Sequence, residues 1–171
     1  PAVQAAIEAI KQHGGHESQP SFDGLDPAKA SIWHTVHSFA KPASADTVCP
    51  RDGDMGCAYV DTLSSEDNVG RARALLSYSW GYLVAEVSAA LSAWCDRHER
   101  DPKRTPIWIC SLCLNQHRMN SEVATPEQLA KALGDRVVAF GRTLPMIEPW
   151  HDPGYVKRAW CLFELYTAIQ K

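Results

Sequence analysis

Leu75-Leu76-Ser77-Tyr78-Ser79-Trp80 is the stretch from which the fold of this chain is read. It predicts a β-strand over residues 74–79, and beyond it helical and extended patterns alternate, as in a parallel sheet covered by helices. The next element is the clearest helix in the chain: Val84, Val87, Leu91, Trp94, Cys95 and His98 recur at offsets that suit a 3.6-residue turn. Residues 101–106 break it, and residues 107–114 form a continuous apolar run of strand length, expected of a strand buried on both faces. Thr125-Pro126-Glu127-Gln128 combines a capping hydroxyl, a proline suited to the first helical position and a glutamine three residues after the cap. A helix therefore starts there and runs at least to Leu133. Residues 137–140 and 144–147 are both apolar; one continues the helix and the other is the third strand, with the later segment favoured as strand. Asp152-Pro153 opens a last helix on which Val156, Ala159, Phe163 and Tyr166 share a face.

Upstream the pattern is weaker. Val3, Ile7 and Ile10 predict a helix that dissolves at Gly14-Gly15, and Asp26-Pro27 starts a second whose stripe is Ile32, Trp33, Val36 and Ala40. Residues 41–56, rich in Pro, Asp, Ser and Gly, read as loop; residues 58–63 read as a short strand and 64–70 as a boundary. Two units result: an N-terminal extension, residues 1–70, packing on an α/β domain, residues 71–171. The chain opens at Pro1 and ends within an apolar pattern at Lys171, so a fragment or processed product, truncated at its C-terminus, is expected.

Hydrophobic residues at 45% and charged residues at 22% place the chain among ordinary globular proteins. Every apolar run is interrupted well short of the ~20 residues a membrane span needs. Residues 1–70 hold 4 basic and 10 acidic residues, and residues 71–171 hold 13 and 10. The basic residues are scattered along the sequence, which argues against nucleic acid as a partner but leaves room for a small anion in the second half. The six cysteines lack the dense spacing of a secreted disulfide framework, so they read as reduced, buried thiols of a cytoplasmic protein.

Open α/β sheets bind ligands at the carboxyl ends of their strands. Those ends are Ser79-Trp80-Gly81, Asn115-Gln116-His117 and the Glu148-Pro149-Trp150 corner. Cys110-x-x-Cys113 with His117 invites a metal or redox reading, but residues three apart on a straight strand face opposite ways, so no metal site is assigned.

Leu76-Ser77-Tyr78, together with Trp160-Cys161-Leu162 and Glu164-Leu165, resembles the "LSY" and "WCLxEL" motifs of Toll/interleukin-receptor (TIR) domains. The run from Ile107 to Gln116 is similar to the "WIDxLCINQ" motif of fungal heterokaryon-incompatibility (HET) domains, distant relatives of the same fold. The matches lie in order across residues 75–165. The resemblance implies a flavodoxin-like parallel sheet flanked by helices. In some family members it also implies hydrolysis of NAD at the nicotinamide–ribose bond; others only self-associate and signal. It places the essential carboxylate on Glu164. Ser79-Trp80 stands where such enzymes commonly carry an arginine after the Ser-Tyr pair, and Cys110 stands at their acidic position, leaving Arg118 or Arg142 to meet a pyrophosphate.

Physical chemistry supports the same residue. A carboxylate beside a ribosyl bond stabilises the oxocarbenium-like state through which the bond breaks. Trp160 lies one helical turn earlier, where its ring can hold a base. The expected site therefore comprises Glu164 as the catalytic residue, Trp80, Trp150 and Trp160 as flat faces, and Ser79 and Asn115 as polar contacts, with Glu164, Trp80 and Asn115 lining one cavity. The competing expectation is a non-catalytic TIR-like module that forms homo-oligomers, or a structural subunit of a larger complex.

Overall fold

A computed structural model describes residues 29–64, 68–119 and 125–170. The helix expected around Val3, Ile7 and Ile10 and the Asp26-Pro27 start lie outside them. The centre of the fold is β1 (Leu75–Ser77), whose three residues are all buried. It pairs in parallel with β2 (Trp108–Ile109) on one side and β3 (Thr143–Pro145) on the other, giving the strand order β2-β1-β3. Parallel neighbours need crossover connections, and α2 (Val84–Arg97) and α4 (Pro126–Phe140) supply them.

The capping box read from Thr125 and Gln128 is present. The Gln128 amide donates to Thr125 Oγ1 at 3.3 Å, and the Thr125 amide donates to Gln128 Oε1 at 2.9 Å. The helix extends through residues 137–140 and ends at Gly141 (φ +62°), a left-handed position that a glycine occupies without the steric cost of a Cβ. The later apolar segment supplies the third strand, at residues 143–145.

Residues 107–114 are not one strand. Extended backbone ends at Ile109, and α3 (Cys110–Cys113) is a single helical turn. A continuous apolar run has no period to distinguish strand from buried turn, which is why the sequence misled here. Residues 58–63 form a 3₁₀ turn (Tyr59–Thr62) rather than a strand, its geometry set by the Asp61 carboxylate accepting from the Ala58 amide at 3.2 Å.

Helix α1 covers residues 32–44, with a π-helical middle (Val36–Ala40) between Ile32–Thr35 and Lys41–Ser44. It carries the helix into what was expected to be loop, with Pro42 in its last α-helical turn, directly after the π-helical stretch. Ser31 caps its start. Ile32, Val36 and Ala40 are buried as expected, while Trp33 is only partly so. The Ile32 and Trp33 amides donate to the Tyr82 and Trp80 carbonyls at 3.0 and 3.1 Å, and the Val84 amide donates to the Ala30 carbonyl. This segment is thereby fastened to the chain leaving β1, and Ile32 and Val36 share one core with Leu76, Tyr78, Val87 and Met146.

The last helix, α5 (Ala159–Ile169), begins six residues after Pro153; a 3₁₀ turn (Gly154–Lys157) occupies the interval. Its buried residues are Cys161, Phe163 and Glu164, so Phe163 is buried as expected, whereas Val156 and Tyr166 at the ends of the expected face are exposed. On α2 the expected face is buried in its middle, at Val87 and Cys95 with Leu91 packed against the core, while Val84 and His98 at its ends are exposed, and a His98 ring nitrogen meets the Trp94 carbonyl at 2.8 Å. Among the described residues no helix is long and apolar enough to cross a membrane.

Candidate functional site

Helix α5 packs on β1 and β3, and this brings Glu164 beneath the carboxyl end of the central strand. Its side chain meets Ser77 Oγ, which lies 2.7 Å from the Tyr155 hydroxyl, which in turn donates to the Cys161 carbonyl at 3.0 Å. Ser77 and Tyr155 are fully buried, and Glu164 is 7% exposed.

Counting protons along this chain distinguishes its two states. With Glu164 ionised, Ser77 donates to the carboxylate and Tyr155 to Cys161, which leaves the Ser77–Tyr155 contact without a proton. With Glu164 protonated, the carboxyl donates to Ser77, Ser77 to Tyr155 and Tyr155 to Cys161, so every contact carries one hydrogen bond. Burial acts in the same direction: it pushes the carboxyl up to about 7, against the Ser77 hydroxyl and the more distant charge of Arg158, both of which favour the anion. Arg158 caps α5 six residues before Glu164, outside the three- and four-residue spacings at which a helical ion pair forms.

The surrounding groups are acids held neutral. Burial pushes the Cys110 thiol up to about 11, with the Trp80 side chain as a hydrogen-bond partner opposing the shift and the Glu164 charge adding to it. Cys161, whose thiol donates to the Tyr78 carbonyl at 3.3 Å, is pushed up to about 12 by burial and then by Glu164. Tyr78 donates to Ser111 Oγ at 2.7 Å and is raised well above its ordinary value by burial. Glu164 is thus the one group of this cluster whose proton is poised near neutrality.

The expected site residues do not converge. Trp80 contacts Cys110 through a side-chain hydrogen bond, and the Glu164 charge is felt at the same thiol. Ser79 is buried beside them in sequence, but its hydroxyl accepts from the Gly81 amide at 3.3 Å in its own turn. Asn115 is committed elsewhere: its amide donates to the Gly56 carbonyl at 2.8 Å and its oxygen accepts from the His117 amide at 2.9 Å. Trp150 stands 83% exposed. Trp160 turns away from Glu164, packing with Phe163 against Ala130 and Leu133 of α4.

Neither proposed pyrophosphate partner lies here. Arg118 pairs with Asp52 at 3.2 Å, and Arg142 precedes β3 at the opposite end of the sheet. Cys110 and Cys113 diverge on α3, the first toward Tyr78 and the second into a cavity beside Arg51, while a ring nitrogen of His117 lies 3.0 Å from Ser44 Oγ. Among the described residues no group of three or more His, Cys, Asp and Glu side chains is placed to hold a metal, and all six cysteines are free thiols.

Sequence reasoning missed Tyr155 and Ser77 as partners of Glu164. Ser77 sits in the "LSY" motif and could have been flagged as a polar residue on a buried strand; Tyr155 had no such signal. No protein-family model, characterised protein or solved structure matches this chain.

Proposed function

We propose that the chain is a TIR-like NAD glycohydrolase in which Glu164 stabilises the ribosyl cation as nicotinamide departs. The observation that carries this reading is a desolvated carboxyl group, raised to about 7, held at the carboxyl end of the central parallel strand. The order β2-β1-β3 is that of the first strands of a flavodoxin-like sheet, which supports the finer fold assignment.

In this reading the bond between ribose C1′ and the nicotinamide nitrogen breaks with its electron pair leaving on nicotinamide. Water then adds to C1′ and releases a proton. The oxidised nicotinamide ring carries a positive charge, and its arrival favours ionisation of Glu164 beside it. The Ser77 and Tyr155 hydroxyls that now enclose the carboxyl group give way for the ribose to reach it.

A second reading is favoured by the closure of the same network: Glu164 is a structural tie between α5 and β1, and the chain is a non-catalytic interaction or signalling module that self-associates. Incubating the purified chain with NAD and following nicotinamide release, beside Glu164→Ala and Glu164→Gln variants, separates the two. The enzymatic reading predicts release by the native chain and its loss in both variants. Equal rates in folded native and variant proteins, or none in any, leave the module.

A further inference from the structure

Arginines gather at the other end of the sheet. A cavity of about 1130 Å³ opens where the chain enters all three strands: Arg73 precedes β1, Ile107 precedes β2 and Arg142 precedes β3. Arg71, Arg100 and Arg51 complete a set of five arginine residues, and among the described residues no Asp or Glu lines the cavity. These arginines are separated by up to 91 positions in sequence, so their convergence is a product of the fold.

The described residues around it do not balance this charge. Arg51 is neutralised by Asp61, which it holds through two contacts of 2.5 and 2.9 Å. Helix α4 ends at the cavity and α2 ends three residues before Arg100, and each helix end contributes roughly half a negative charge. Among the described residues, one carboxylate and two helix ends set against five guanidiniums leave an excess of about three positive charges. The side chains of Arg71, Arg73 and Arg142 make no ion pair or hydrogen bond among the described residues. Arg100 stacks over Trp94 at 5.3 Å, and its Nε is buried without a hydrogen-bond partner among the described residues. A buried donor left unmade is costly, which makes a ligand acceptor the natural partner for that nitrogen.

We infer that this cavity binds a polyphosphate anion, either free inorganic polyphosphate or the phosphate chain of a nucleotide. Guanidinium groups pair with phosphate oxygens in a planar, two-pronged geometry, and several of them meet the several charges of such a chain better than they meet one carboxylate. The site is independent of Glu164, which lies beyond the opposite end of β1.

Isothermal titration of the purified chain with inorganic tripolyphosphate, and separately with adenosine triphosphate, tests this. Binding is expected for at least one of them. It should weaken on raising the salt concentration, by roughly tenfold in Arg100→Gln and by more in the doubly substituted R71Q/R142Q, whose altered side chains are exposed and leave folding intact. Arg97→Gln on α2, outside the cavity, and Glu164→Gln should bind as the native chain does. Equal binding of the two ligands assigns recognition to the phosphates alone, and tighter binding of the nucleotide assigns part of it to the base. Absence of binding for both ligands, or affinity unchanged in Arg100→Gln and R71Q/R142Q, overturns the inference.

Discussion

The hydroxyl of Ser77 and the carboxyl group of Glu164 share a hydrogen bond across 87 positions of sequence, joining the central strand to the last helix inside the core. Because burial raises the carboxyl group from 4.5 to about 7, the folded chain holds this proton more tightly than the unfolded chain does. Its contribution to stability is therefore fully present below the unfolded value and is lost as pH rises through about 7. The shift corresponds to roughly 3 kcal/mol. Glu164→Gln keeps an acceptor for Ser77 but cannot ionise, so its stability relative to the native chain should climb between about pH 5 and pH 8. Urea unfolding across that range measures the gap; a gap that stays flat would contradict a desolvated, titrating Glu164.

The proton count predicts coupling between the two hydroxyls. Ser77→Ala removes the link between Glu164 and Tyr155, and Tyr155→Phe removes the donor to the Cys161 carbonyl at the start of α5. Each should cost about 1–3 kcal/mol, the range for a buried hydrogen bond broken from one side. Acting on one chain of bonds, they should not add. A double-mutant cycle is expected to show an interaction of at least ~0.5 kcal/mol, beyond the additivity of separate sites. Strict additivity would mean that the three groups do not act as one network.

How far the sequence carried this picture depended on whether a local pattern existed to be read. Thr125, Pro126 and Gln128 specify a helix start by their own side chains, and the helix starts there. Leu75-Leu76-Ser77 reads as strand and lies at the centre of the sheet. Ile107 to Leu114 carries no period, and its turn at Cys110 was invisible. Glu164 was found through its motif, but its partner Tyr155 comes from a 3₁₀ turn that merely looked like the start of a helix. The arginines at 51, 71, 73, 100 and 142 are scattered in sequence and meet only in space, which no linear reading of charge could show.

Gly56 separates two costs of adding a methyl group. At φ +85° any other residue is strained, and a Cβ there would sit 2.9 Å from His117 Cγ, whose ring is held against Ser44. Gly53 has the similar φ of +81° but open space around it. Gly53→Ala should therefore lose about 1 kcal/mol from backbone strain alone. Gly56→Ala should lose that and roughly 1–3 kcal/mol more from overpacking. Thermal or urea unfolding of both variants checks the order; equal losses would show that His117 yields at no cost.

The Glu164 charge should also be audible in the chemistry of its neighbours. A thiol reacts as its anion, and Cys110, raised to about 11, is almost wholly protonated at mildly alkaline pH. Iodoacetamide should accordingly label it, and Cys161 at about 12, at least ~100-fold more slowly than an ordinary exposed cysteine, with burial slowing both further. In Glu164→Gln the negative charge that helps to suppress the Cys110 thiolate is gone, while the burial and the Trp80 contact remain. Cys110 labelling should then accelerate relative to Cys95, which lies on α2 and serves as an internal standard for opening of the fold. Mass spectrometry of each cysteine over time provides both rates. If Cys110 and Cys95 change in parallel, the variant has loosened the whole domain, and the electrostatic link between Cys110 and Glu164 is not what governs that thiol.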